Sequence, residues 1–415
     1  MSLLDKLKEF GGKLKDKAEE FVGGALGGTI SKSSSPKDYG SDFDIKISIN
    51  SKEIKIEDAI ITGVMVDSGM PPEAGICEIH MKVLGYEIED GKLKINEDFA
   101  KMKLGKPIVI KIANSFSGPG PADYQKVFTG FVEKTECEID NDGSVNFVVY
   151  GMDAKMWMMS NNLTKMRGEG TSYEQIVTKV IENYSSKNKM GQISLRKNVQ
   201  IKSKFYQVGQ SDYEFLCKLA DLTGSLFYVD PEGKFNFSAP NKLMKPMNTI
   251  ALAEDAALSI KFSASAWGVP RSVKITSIDP SDPSRTISAA CNSVLSVGSG
   301  KESKQIISQN YSSESKGIRY VNITDNSVEN KEQAQARADA EYSRRNLNFV
   351  ETELLLKGNP KMCVGQGIKL KDFGALFDNE YLVLRVSHLW GDYSKDKMFQ
   401  TKVGLVANRF TPKER

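Results

Sequence analysis

Two histidines, His80 and His388, and five cysteines, Cys77, Cys137, Cys217, Cys291 and Cys363, are the whole supply of imidazole and thiol groups in this 415-residue sequence. Cys77 and His80 stand at a C-x-x-H spacing, which looks like half of a metal site. In the segment GICEIHMKVLG, however, strand alternation puts Cys77, Ile79, Met81 and Val83 on one face and His80 on the other. Ligands on opposite faces cannot close on one ion, so Cys77 reads as a buried thiol. His388 falls in the alternating run LVLRVSHLWG and reads as structural. So few histidines leave little material for a Ser-His-Asp or Cys-His arrangement. Neither G-x-x-x-x-G-K-[ST] nor a G-x-G-x-x-G leading from strand to helix occurs. Carboxylates are plentiful, but none lies in an obviously apolar stretch that would tune it for glycoside hydrolysis. The expectation is no catalytic centre, no metal and no cofactor.

The stretch FYQVGQSDYEFLCKLADLTGSLFYVDPEGKFNF, residues 205–237, concentrates hydroxyls and acids in a way that first suggests a site. Each polar residue nevertheless has a folding role. Ser211-Asp212-Tyr213-Glu214 reads as a capping box, with Ser211 as N-cap, Glu214 as its N3 partner and Asp212 favouring the positive helix end. Phe215, Leu216, Leu219, Ala220 and Leu222 supply an apolar face, and Gly224 can take the positive φ that ends the helix. Ser225–Val229 then reads as a strand, Asp230-Pro231-Glu232-Gly233 as a turn with proline second, and Lys234–Phe237 as the returning strand.

Around this stretch the bulk numbers describe an ordinary globular protein. Hydrophobic residues make up 40% and charged residues 26%, and the length suggests two to four domains. The 56 basic side chains nearly balance 53 acidic ones, and a net +3 gives no field that selects nucleic acid or an anionic membrane. The odd count of cysteines, 60 to 80 residues apart and without C-x-x-C, fits reduced thiols made in a cytosol. Neither a secretory signal nor an 18-residue apolar run is visible, so no membrane anchor is expected.

Periodicity divides the chain into four segments. In residues 1–41, Leu3, Leu4, Leu7, Phe10 and Leu14 recur at helical spacing ahead of a Gly/Ser-rich linker. That stripe could dock on its own protein or a neighbouring subunit, capture a partner, plug a lumen, or lie on a membrane surface. Residues 42–165 alternate in six β-rich runs, as in an antiparallel barrel or sandwich. Residues 166–255 form an α/β insert, in which Thr171-Ser172-Tyr173-Glu174 looks like a second capping box before Ile176, Val177, Val180, Ile181 and Tyr184. Residues 256–415 return to β, with a Ser/Asn-rich stretch at 290–328 expected as long loops and an alanine-rich helix at about 329–349. The expected fold class is mainly β: two similar antiparallel β-barrel domains flanking a small α/β domain, plus an N-terminal amphipathic helix.

Residues 207–229 resemble the late control D family, the baseplate hub of contractile phage tails, phage-like bacteriocins and type VI secretion. They are similar also to the N-terminal hub part of VgrG spikes. Gln207, Ser211, Asp212, Phe215, Leu216, Leu219, Ala220, Gly224 and Phe227 fall on that family's pattern, with Lys218 where arginine is commoner. Phe128 and Gly130 resemble its F-x-G-x-V strand, and Gly367, Tyr381 and His388 resemble its closing motifs, in the same order. The resemblance implies a structural homotrimer whose two similar domains per subunit adapt a sixfold tail tube above to a threefold spike below. It implies no enzymatic activity; a tail-tip cell-wall hydrolase and a β-rich adhesin are the alternatives. The chain stops after its last strand without a needle, so a separate spike protein is expected, with other baseplate proteins and a tape-measure protein in the lumen as further partners. Such a protein would be made in the bacterial cytoplasm and assembled into a virion or an extracellular phage-tail-like particle.

Overall fold

The structure is a computed structural model and describes residues 43–410, except 55–58, 71–72, 84–86, 90–91, 95–103, 115–122, 141–143, 185–189, 202, 246, 253–256, 293, 311–319, 375–376 and 395–397. The expected N-terminal helix and linker, with Leu3, Leu4, Leu7, Phe10 and Leu14, lie outside the described residues. The fold is mainly β, with few helices among the described residues. Contacts group the chain into two compact units. One comprises residues up to Asp67, Ile76–Asp153 and His388–Gln400; the other comprises Ser68–Gly75, Ala154–Ser387 and the segment from Thr401. The boundaries drawn from sequence at 165 and 255 are of another kind, since the second unit holds all of residues 166–255 and most of residues 256–415.

The first unit is an antiparallel sheet. Its strands are β1 (Phe43–Ile49), β2 (Ala59–Gly69, entering the other unit at Ser68), β3 (Ile76–Val83), β4 (Pro107–Asn114), β5 (Gln125–Ile139) and β6 (Val145–Met152). They pair in the order β2–β3–β6–β5–β4–β1. Alternation decides which face is buried: in β3 Cys77, Ile79, Met81 and Val83 are buried while the residues between them are not. With Ile47, Ile108, Ile110, Val149 and Phe128 they form one apolar core, each such side chain contributing about 1.5–3 kcal/mol of burial. Phe399, from the returning segment His388–Gln400, enters the same core with its ring 4.8 Å from that of Phe43.

The long stretch of the second unit opens with helix α1 (Lys155–Met159). Strand β7 (Leu163–Gly168), helix α2 (Tyr173–Ile181), β8 (Met190–Ser194) and β9 (Phe205–Gln210) come next. Helix α3 (Asp212–Thr223) then leads into the hairpin β10 (Leu226–Val229) and β11 (Phe235–Ser238). β7 pairs antiparallel with β9 through two bulges, and β11 pairs antiparallel with β10 and parallel with β8. The capping box of α2 lies one residue later than the sequence reading placed it, with Ser172 as N-cap and Gln175 as its partner. Glutamine fills the N3 role as well as glutamate does, and extended backbone at Ser172 sets the start.

Longer strands follow along the chain: β12 (Met247–Ala251), β13 (Ala257–Ala264), β14 (Ser272–Asp279), β15 (Asp282–Cys291), β16 (Tyr320–Thr324), β17 (Val350–Lys357), β18 (Gly367–Lys371), β19 (Glu380–Gly391, entering the first unit at His388) and β20 (Gln400–Ala407). β13 pairs with β17, followed by β20 and β19, and β12 joins through its parallel partner β18. The 290–328 stretch is more ordered than expected: besides loops it holds α4 (Ser303–Asn310) and β16, which runs parallel to β14. The alternation of Tyr320, Val321, Asn322, Ile323 and Thr324 carries that strand, and the many serines on either side mask it. The alanine-rich helix is α5 (Lys331–Leu347), whose Ala334, Ala338 and Tyr342 pack on Val273 and Ile275 of β14.

Gly224 joins α3 to α5. It takes φ +63, and a Cβ there would lie 2.8 Å from the Cα of Ala340, a backbone atom that cannot move aside. Gly224→Ala is therefore expected to cost the left-handed penalty of about 1–2 kcal/mol plus the cost of the clash. Its denaturation midpoint should fall clearly below the parent's, and an unchanged midpoint would rule out this packing.

Candidate functional site

Three residues of the sequence pattern, Gln207, Asp212 and Phe215, converge on one side chain that the pattern does not include, Arg167. It sits in β7 where the ladder with β9 shifts register. Its guanidinium pairs with Asp212 Oδ1 at the start of α3. Its Nε donates to Gln207 Oε1 at 2.6 Å, and its guanidinium carbon lies 5.6 Å from the centroid of the Phe215 ring. Gln207 in turn donates Nε2–H to the Gln210 carbonyl at 2.7 Å, fixing the chain just ahead of the cap. Tyr184 donates its hydroxyl to Asp212 Oδ2 at 2.7 Å. Burial, followed by this bond to a carboxylate, pushes the Tyr184 phenol up to about 12. The Arg167 and Asp212 side chains are only 6% and 3% exposed, so the ion pair lies in the interior.

α3 begins as the sequence reading has it. Ser211 Oγ accepts from the Glu214 N–H at 3.1 Å, and Glu214 Oε2 accepts from the Ser211 N–H at 2.8 Å. That backbone donor, then the Ser211 hydroxyl, holds the Glu214 carboxyl below its ordinary value. Asp212 does more than favour the positive helix end: it is the buried partner of Arg167. Leu216, Leu219 and Ala220 face the core, where Phe227 stacks on Phe235 at 6.3 Å with the rings 7° from parallel. Gly233 N–H closes the Asp230–Gly233 turn onto Asp230 O at 2.8 Å.

The other pattern residues also pack. Phe128 is buried in the first unit, and a Cβ on Gly130 would meet the Met152 carbonyl oxygen at 2.4 Å. Gly367 opens β18 beside Met247, and Tyr381 is buried in the second unit with its hydroxyl donated to Phe377 O at 2.9 Å. His388 is buried against the Phe399 ring, with centroids 5.7 Å apart. Cys77 and His80 do stand on opposite faces: burial pushes the Cys77 thiol far up, whereas His80 Nε2 lies 2.8 Å from Glu78 Oε1 and 2.7 Å from the Tyr393 hydroxyl. Among the described residues no group of three or more His, Cys, Asp or Glu is placed to hold a metal, and no helix is long and apolar enough to cross a membrane.

A second polar seam joins α5 to the α/β part. Burial works against the Glu341 carboxylate, yet Arg344, Arg345 and Arg337 around it hold it below its ordinary value. Arg337 also donates to the Asp221 carbonyl of α3 at 3.0 Å, and Asp339 receives Arg196 and Lys197. A shallow pocket beside this seam is lined by Tyr173, Arg196, Lys197, Asp325, Gln333 and Arg337. Its charges face one another, as in the Arg337–Asp325 pair at 3.3 Å. The sequence reading missed Arg167 and this seam because their partners lie far away along the chain. A buried Asp212 calls for a cation, but nothing local says which one.

The fold as a whole is similar to that of solved phage tail proteins. The 43 kDa tail protein of prophage MuSo2 from Shewanella oneidensis shares it with a TM-score of 0.59 at 15% identity, over 88% of this chain and 98% of that one. A tail protein of Neisseria meningitidis gives 0.61 at 11%, over 88% and 97%. A chain of the lidded Francisella PdpA-VgrG complex gives 0.53 at 11%, over 91% and 55%. Residues 43–391 match the model of one protein family, and the chain belongs to that family, the Alg8 N-terminal domain. No curated protein matches the chain.

Two measurements test the site. Arg167→Met leaves Asp212 buried without its cation and should cost about 3–5 kcal/mol in denaturant unfolding, much of it recovered on adding Asp212→Leu. A loss within about 1 kcal/mol would show that the pair is dispensable. Because the Glu214 carboxyl is depressed on folding, its stabilisation is present above the ordinary carboxylate range and lost as pH falls through the folded value. Glu214→Ala should therefore melt lower than the parent at neutral pH, with the gap closing as pH falls below the ordinary carboxylate range; a gap independent of pH would contradict the capping geometry.

Proposed function

We propose that this chain is the structural baseplate hub of a contractile injection machine, a homotrimer that adapts a sixfold tail tube to a threefold spike. One observation carries the reading: the fold agrees with phage tail proteins over 88% of this chain and 97–98% of theirs. The late control D resemblance of residues 207–229 supports it, as does the fate of the pattern's polar residues, which are committed to caps, a buried ion pair and core contacts. The likeness to a chain of a PdpA-VgrG complex favours a spike protein as partner, with tube, other baseplate and tape-measure proteins as further neighbours. The hub works through interfaces and catalyses nothing. It is made in the cytoplasm and assembled into a virion or an extracellular phage-tail-like particle.

The test is co-expression with tube and spike proteins from the same particle, followed by native mass measurement and a turbidity assay on purified cell wall. The expected result is a complex containing three copies of this chain and no loss of turbidity. A monomer that binds neither partner, or release of wall material, would overturn the reading.

A further inference from the structure

β1 and β2 are the two ends of the strand order in the first unit, and its core is least covered there. Five apolar side chains pack on that core while staying only partly buried: Phe43, Ile45, Ile54, Ile61 and Trp390. Phe43 and Ile45 stand on β1, and Ile54 follows it, its N–H donated to the Ile47 carbonyl at 2.9 Å. Ile61 stands on β2. Trp390 is brought beside β2 by the residues after it, because the Asp392 N–H donates to the Thr62 carbonyl at 3.0 Å. Phe399 bridges the two ends, its ring 4.8 Å from that of Phe43 and 5.7 Å from that of His388, which shares β19 with Trp390. None of the five lies on β3, β4, β5 or β6, the strands paired on both sides, so the half-covered residues mark one seam. The edge of β1 is open at the same place. Among the described residues its outer side is paired at Ser48 and Ile49, with Glu53 and Lys52, and no strand lies beside residues 43–46 there.

We infer that residues 1–42 turn back on this seam, with the stripe of Leu3, Leu4, Leu7, Phe10 and Leu14 covering Phe43, Ile45, Ile61 and Trp390. Two facts favour the chain's own segment as the occupant. The first is where that segment ends: residue 42 leads straight into Phe43, which is itself a seam residue. The second is its length. Residues 23–42 are rich in Gly and Ser, and a chain of that length and composition has an r.m.s. span of about 25 Å. The stripe is thereby held near the seam at an effective concentration on the order of millimolar, which a second copy or a separate protein must overcome to take its place. The chemistry matches as well. Leucines and a phenylalanine meet isoleucines, a phenylalanine and a tryptophan, and both partners lose apolar area to water until they meet. The segment is then a cover carried by the chain it covers, and its release bares the seam and the edge of β1 together.

The experiment uses the full chain with a photo-crosslinking amino acid at position 7, in an equal mixture of light and heavy isotope-labelled copies, with the products mapped by peptide mass. The expected products join position 7 to residues 43–47, 54–61 or 388–399 of the same copy, and Leu3→Asp with Phe10→Asp lowers their yield at least about tenfold. A second measurement follows Trp390, left as the sole tryptophan by Trp157→Phe and Trp267→Phe. Its quenching by iodide should rise when Leu3→Asp and Phe10→Asp are added, while the β circular-dichroism signal stays as in the parent. Should that signal be lost, Leu3→Gln with Phe10→Gln takes the place of the aspartates and must raise quenching in the same direction. Products joining a light to a heavy copy would make a second copy the occupant and overturn the placement. So would products elsewhere on the chain, a yield no higher than that of the stripe variant, or quenching indifferent to the stripe.

Discussion

The ion pair between Arg167 and Asp212 is the constraint on which the α/β part of the molecule turns. Taking two charges out of water is costly, and their attraction offsets that cost only when every other donor and acceptor is also satisfied. Here three further contacts support it: Gln207 accepts from the guanidinium's Nε, Tyr184 donates to the carboxylate's second oxygen, and the Phe215 ring lies over the guanidinium. Each of those groups comes from a different element. The pair therefore sets the distance from ribbon to helix, and that distance fixes where Ser211 begins α3 and how Phe227 meets Phe235 and Phe237.

A pattern of residues spread over 207–229 is thus the record of one buried centre and its hydrophobic surroundings. The glycines belong to the same account. Gly224 lets α3 end hard against α5, and Asp339, paired with Arg196 and Lys197, together with Arg337, which donates to the Asp221 carbonyl, then fastens the long helix in place. An alanine-rich helix gains little from side-chain burial, so polar contacts with Arg196, Lys197 and the Asp221 carbonyl give α5 a specific seat that apolar contacts alone would leave loose.

Much of this was legible in the sequence, for local reasons. Period-two alternation around Ile47, Ile79, Ile108 and Val149 marks strands with one wet and one dry face, and those strands are present. The Ser211 cap and the Asp230-Pro231 turn are local hydrogen-bond motifs and are read directly. What escaped is non-local. Arg167 lies 45 residues before Asp212 in the chain, and nothing in its own neighbourhood marks it as buried. β16 escaped because its stability comes from a parallel neighbour, β14, which no run of serines and asparagines around it announces. The box at Ser172 was displaced by one residue, since Thr171 and Ser172 are chemically near-equivalent and only the backbone distinguishes them.

The way the chain returns has a consequence for how the protein is made. The first unit is built from residues near the N-terminus, yet it is completed by His388–Gln400, and Phe399 fills its apolar core against Phe43. During synthesis the ribosome must therefore reach residue 400 before that core can close. Until then the early strands expose apolar faces and free edges, the state in which β proteins stick to one another. The second unit is likewise assembled from three separated stretches. Neither unit is a continuous piece of chain, so a chain broken off before residues 388–400 would leave both cores open at once.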